Sequence, residues 1–98
     1  MNANCHVEPI QKDVNLEDQN AAQSVLLTVW GLGCENCAHR VRNSLLRLDG
    51  VVSAEIALAW GLAMVDYVPS KTDLNAILLA VAAAGNDGHH HYRAEITP

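Results

Sequence analysis

Past a polar N-terminal stretch, the apolar residues of this chain recur with two alternating periods. Val25 to Trp30 is apolar and β-branched on both sides, with Val25, Leu27 and Val29 on one face and Leu26, Thr28 and Trp30 on the other. That pattern predicts a central strand. From Cys37 onward the period lengthens: Ala38, Val41, Leu45 and Leu48 share one side of a helix, Arg40, Arg42 and Arg47 fall off that stripe, and Asp49-Gly50 ends it. Val52, Ala54, Ile56 and Leu58 then alternate with Ser53, Glu55, Ala57 and Ala59 as a half-buried strand, and Trp60-Gly61 supplies a hairpin turn. Ala63, Val65 and Tyr67 form the inward set of the next strand, Leu62, Met64 and Asp66 face out, and Pro69 closes it. Thr72 is placed to cap a second helix with a stripe of Leu74, Ile77, Leu78 and Val81 and a stop at Gly85. After the polar run Asn86 to His91, Tyr92 to Thr97 alternates as a last strand with Ala94 and Ile96 inward.

The order strand-helix-strand-strand-helix-strand predicts an α+β fold, a ferredoxin-like βαββαβ sandwich with a four-stranded antiparallel sheet and two helices on one face. At 98 residues there is room for one domain. These strand phases leave Leu26, Trp30, Leu62 and Met64 on the outer side of the sheet, with Trp60 at the adjacent turn. Monomers rarely leave such a patch bare. The expected cover is residues 1–23 or a second subunit, unless one strand is out of phase by a residue, which would exchange its faces.

Residues 1–23 carry Glu8, Asp13, Glu17 and Asp18 against Lys12, and no sustained period. They predict a flexible acidic tail, with the domain over residues 24–98. The formal net charge of -5 is opposite in sign to a phosphate-neutralising surface, so nucleic acid is not an expected partner. No segment approaches the roughly 20 apolar residues that span a bilayer, and the N-terminus lacks a signal-peptide pattern. The expectation is a cytoplasmic protein without membrane insertion.

Three cysteines are an odd count, and two of them, Cys34 and Cys37, lie two residues apart between the first strand and the first helix. A helix N-terminus offers free backbone N–H groups and the positive end of the dipole, both of which favour thiolates. Two thiolates suit a soft metal ion, held openly enough for another thiolate to take it; thiol-disulfide exchange is the competing reading. Cys5-His6 in the tail is an adjacent soft-ligand pair that either donates a third ligand or stays unligated.

Gly31-Leu32-Gly33-Cys34-Glu35-Asn36-Cys37 in this element order resembles the heavy-metal-associated domain of soft-metal chaperones and metal-pump N-termini. Asp49-Gly50-Val51, Val65 and Tyr67 with Pro69, and Gly85 extend the match over about residues 24–97. The resemblance implies no enzyme but a metallochaperone, in which Cys34 and Cys37 bind Cu(I) or a related ion and pass it to a metal-transporting P-type ATPase or another metal-binding domain. Leu32 stands where the family has a methionine packed beneath the loop, an apolar exchange of similar volume.

Two departures bear on the metal. Asn86 to His91 lengthens a connection that in the family lies beside the cysteine loop, so His89, His90 and His91 are either ligands or a solvated turn. Imidazole ligands would broaden the site towards Zn(II), Co(II), Ni(II) or Cd(II) and a storage or sensing role. Gly33 holds a position that is often acidic in the family's divalent-ion pumps, which favours Cu(I) here. Glu35 is either an oxygen ligand or a solvated acid at the helix N-terminus. A homodimer is open through metal bridging or through the apolar sheet face.

Overall fold

The computed structural model describes residues 7–85 and 91–97. Strands β1 (Gln23–Trp30), β2 (Val51–Ala57), β3 (Leu62–Tyr67) and β4 (Arg93–Ile96) form one antiparallel sheet in the order β2-β3-β1-β4. Helices α2 (Glu35–Leu46) and α3 (Leu74–Ala83) pack on one face of it. This is the ferredoxin-like sandwich, and β1 is central, as its apolar residues on both sides require. Leu27, Val29, Val41, Leu45, Ala63, Val65, Ile77 and Val81 meet in the buried layer between sheet and helices.

Local differences from the sequence pattern have identifiable causes. A bulge between Val51 and Ser53 puts an extra residue into β2, so Val51 is the buried residue where Val52 was expected, while Ala54 keeps its inward phase. Leu58 leaves the strand for a 3-10 turn, Leu58–Trp60, closed by Gly61 in the left-handed region at φ 62°. Asp73, rather than Thr72, caps α3 by accepting a hydrogen bond from the Ala76 N–H (2.8 Å). Leu48 lies beyond the end of α2, partly buried against the core. Ile96 shares the inward face with Ala94 but stays 43% exposed, because β4 is short and at the sheet edge.

The largest difference lies before β1. Residues Leu16–Ala21 form a helix, α1, capped by the Asn15 side chain, and β1 starts at Gln23. The apolar period that predicts a helix is missing because α1 buries no residue; its cap holds it instead. Ahead of it, residues 7–12 run along α2. The Asn43 amide accepts from the Ile10 N–H (2.9 Å) and donates to the Glu8 carbonyl (2.6 Å), so one side chain serves the backbone on both sides of Pro9. Arg42 donates to the Ile10 carbonyl, and the Lys12 ammonium donates to the Leu48 and Val51 carbonyls. These bonds lie on the helix side. On the opposite face of the sheet, Trp30 and Met64 are 42% and 43% exposed, as the strand phases require.

Candidate metal site

The β1–α2 connection is shaped by its first glycine. Gly31 has φ 101°, and a Cβ there would overlap the His91 carbonyl oxygen, so only glycine lets the start of this loop touch the approach to β4. Leu32 tucks half-buried against the core, as an apolar residue beneath the loop should. Gly33 is different: a Cβ there meets nothing within 4 Å.

Cys34 is the N-cap of α2, with extended backbone and an exposed side chain. Cys37 lies in the first helical turn and is 5% exposed. Both thiols are free, with the sulfurs 3.9 Å apart. Burial, the largest single influence on Cys37, pushes its thiol pKa up. Hydrogen bonds from the Tyr92 side chain, the Gly33 backbone, the Cys34 thiol and the Cys34 backbone outweigh it and hold the thiol below its ordinary value. The pair therefore combines an accessible sulfur with a sheltered sulfur already biased towards thiolate.

The remaining candidate ligands fall out as follows. Glu35 is exposed in the first turn of α2, where its charge complements the helix dipole. His91 is exposed, and its backbone carbonyl lies against Gly31. Cys5, His6, His89 and His90 lie outside the described residues. Among the described residues no set of three Cys, His, Asp or Glu side chains gathers to hold a metal ion, so what the structure assembles there is the Cys34–Cys37 pair.

Sequence reasoning missed three contributors. Tyr92 appeared as the start of a strand; it is 6% exposed and bonds to Cys37, a contact no local pattern encodes. Asn36 and His39 were given no role by the sequence pattern, yet Asn36 Oδ1 accepts from the Val7 N–H (3.2 Å) and His39 Nδ1 donates to the Val7 carbonyl (3.2 Å). The available signal was the polar stripe Asn36, His39, Asn43 along one side of α2, at the spacing of a helix face that contacts something.

Fold and site together define a small α+β sandwich that presents a dithiol at an exposed helix N-terminus. Residues 26–87 match the model of the heavy-metal-associated domain, and the chain belongs to that family. A copper-exporting P-type ATPase of Staphylococcus aureus is 33% identical over 67 residues, which is 68% of this chain and 8% of that relative. The chain thus spans less than a tenth of that curated relative's length. Oxidized MerP from Ralstonia metallidurans CH34 superposes with a TM-score of 0.70 at 26% identity, over 80% of this chain and 100% of MerP. The CopZ metallochaperone does so with a TM-score of 0.66 at 29% identity, over 74% and 100%. Among the described residues no helix is long and apolar enough to cross a membrane.

Proposed function

We propose that this domain carries Cu(I) between Cys34 and Cys37 in the cytoplasm and passes it to a metal-transporting P-type ATPase or to another domain with a similar dithiol. The observation that carries the reading is the asymmetry of the pair: Cys34 exposed at the helix cap, Cys37 buried, with its thiol held below its ordinary pKa. An incoming thiolate bonds to the ion from the exposed side as the Cys34 bond breaks, and the recipient's second thiolate bonds as the Cys37 bond breaks last; the two displaced thiolates take up protons from solvent. No oxidant or reductant enters. At metal–sulfur bonds of about 2.3 Å a linear pair would sit about 4.6 Å apart, so the 3.9 Å separation needs only a small rotation of the exposed side chain. Gly33 supports Cu(I) over harder divalent ions, because the open position before Cys34 holds no carboxylate.

The test is an anaerobic Cu(I) titration against a chromophoric competitor. Cys34→Ser and Cys37→Ser are each expected to lose tight binding. Unchanged binding in either variant would end the proposal, and metal-independent disulfide reduction by the wild type would replace it with thiol oxidoreductase chemistry. One observation favours a second reading, storage or sensing of Zn(II) or another divalent ion: the backbone of His91, the last of the three consecutive histidines, rests against Gly31 at the start of the cysteine loop. X-ray absorption of the metal-loaded protein separates the two, since a shell of sulfur alone favours Cu(I) carriage and mixed sulfur and nitrogen favours a divalent ion.

A further inference from the structure

Cys34 caps α2 without a side-chain hydrogen bond, and the first backbone bond of the helix runs from the Ala38 N–H to the Cys34 carbonyl (3.2 Å). The turn that carries both sulfurs is thus tied into the helical ladder at one end only, where helices fray first. A segment distant in sequence holds it. Asn36 Oδ1 accepts from the Val7 N–H (3.2 Å) and His39 Nδ1 donates to the Val7 carbonyl (3.2 Å). One residue therefore clasps two positions of α2 that lie on either side of Cys37.

Val7 is itself anchored from behind. Asn43, 3% exposed, accepts from the Ile10 N–H (2.9 Å) and donates to the Glu8 carbonyl (2.6 Å), and Arg42 donates to the Ile10 carbonyl (2.9 Å). The Lys12 ammonium closes the run by donating to the Leu48 and Val51 carbonyls. The Ile10 side chain rests against the hydrophobic core. The run from Val7 to Lys12 is a strap laid along α2. Its bonds share one short stretch of backbone, so they open together as a local unit.

The two sulfurs differ in what their release demands. Cys34 is exposed, so an incoming thiolate replaces it without moving the helix; Cys37 is buried, and its bond to the ion breaks only when the turn around it gives way. Resting on the Cu(I)-carrier reading, we propose that Val7 is a positioning residue that gates this last exchange: by clasping Asn36 and His39 the strap holds the Cys37 turn closed, and the ion leaves at the rate at which the strap opens. The step is a ligand exchange without redox change. The recipient's second thiolate bonds to the ion as the Cys37 bond breaks, and the Cys37 thiolate takes a proton from solvent. In such a gate the strap makes the same contacts with and without the ion, so it slows loading and release together and leaves their ratio, the affinity, unchanged.

The experiment loads the full chain anaerobically with Cu(I) and follows transfer to a chromophoric Cu(I) chelator by stopped flow. Chelator is raised until the rate stops increasing, and that plateau reads the opening step; competition titration with the same chelator gives the affinity. Val7→Pro deletes the N–H bonded to Asn36, and Asn43→Ala deletes the anchor at Glu8 and Ile10; neither touches a sulfur. Each is expected to raise the plateau rate on the order of tenfold with the affinity unchanged. Val7 lies outside the buried cluster, so Val7→Pro carries the test even where Asn43→Ala does not fold. A wild-type rate that keeps climbing with chelator, or a plateau unmoved by Val7→Pro, overturns the gate. So does a faster release matched by an equal loss of affinity, because the strap would then stabilise the loaded form instead of controlling passage. With any of these results, loss of tight binding in Cys34→Ser leaves the carrier reading standing; tight binding retained by Cys34→Ser overturns both.

Discussion

Cys37 shows how one residue's chemistry is set by groups far apart in sequence. Its burial alone would favour the neutral thiol, and the hydrogen bonds led by Tyr92 reverse that preference. A thiol whose folded pKa lies below its unfolded value contributes stability that is fully present above the unfolded pKa and is lost as pH falls through the folded one. Stability of the metal-free protein should accordingly rise with pH through the window between the lowered value and the ordinary 9.0. Tyr92→Phe removes the leading favourable bond, so the Cys37 pKa should rise and the pH midpoint of metal binding should move up with it. Thiolate absorbance in the ultraviolet, recorded against pH in a Cys5→Ser/Cys34→Ser background, checks this; an unmoved midpoint would show that Tyr92 only packs. Cys34 and Cys37 were legible as a motif because their spacing is local. Tyr92 was not, because its partner lies across the fold.

Among elements, the sheet and its two packed helices followed from periodicity, since each strand and helix must bury one face and the apolar spacing records which. The exceptions are places where backbone geometry overrides that spacing. The β2 bulge shifts one residue without changing composition, and α1 forms from a cap rather than from an apolar stripe. Gly31 belongs to this scale as well, since it joins the end of β1 to the approach to β4. Gly31→Ala combines φ 101° with a collision against the His91 carbonyl. It should cost about 1–3 kcal/mol in urea unfolding and weaken Cu(I) binding by disordering the loop ahead of Cys34. Gly33→Ala, with open space around its Cβ, is the matched control and should leave both nearly unchanged.

At the scale of the whole molecule the strap is an addition to a sandwich that holds its own core. The buried cluster is drawn from the sheet, α2 and α3 with Tyr92, and Ile10 only packs against it from outside. Deleting residues 1–13 should therefore preserve the fold's circular dichroism spectrum. It should lower the thermal midpoint by on the order of 10 °C, the effect of losing roughly 1–3 kcal/mol from a domain of this size. Loss of all cooperative unfolding would show instead that the strap is integral to the fold. The outer sheet face, with Trp30 under the Arg93 guanidinium at 4.3 Å and Met64 beside Leu26, keeps its exposure whether or not the strap is present, because the strap's bonds go to the helix side.

The sequence by itself determined the element order, the buried face of each main element and the dithiol at a helix N-terminus. Hydrophobic period and motif spacing are local properties, and the chain carries them wherever it folds. Tertiary structure alone decided the course of residues 7–12, the pairing of Asn43 with the Glu8 and Ile10 backbone and the lowered pKa of Cys37. Each is a polar contact between segments distant in sequence. A side chain that bonds to water and one that bonds to a remote peptide look the same in one dimension, and only the packed chain distinguishes them.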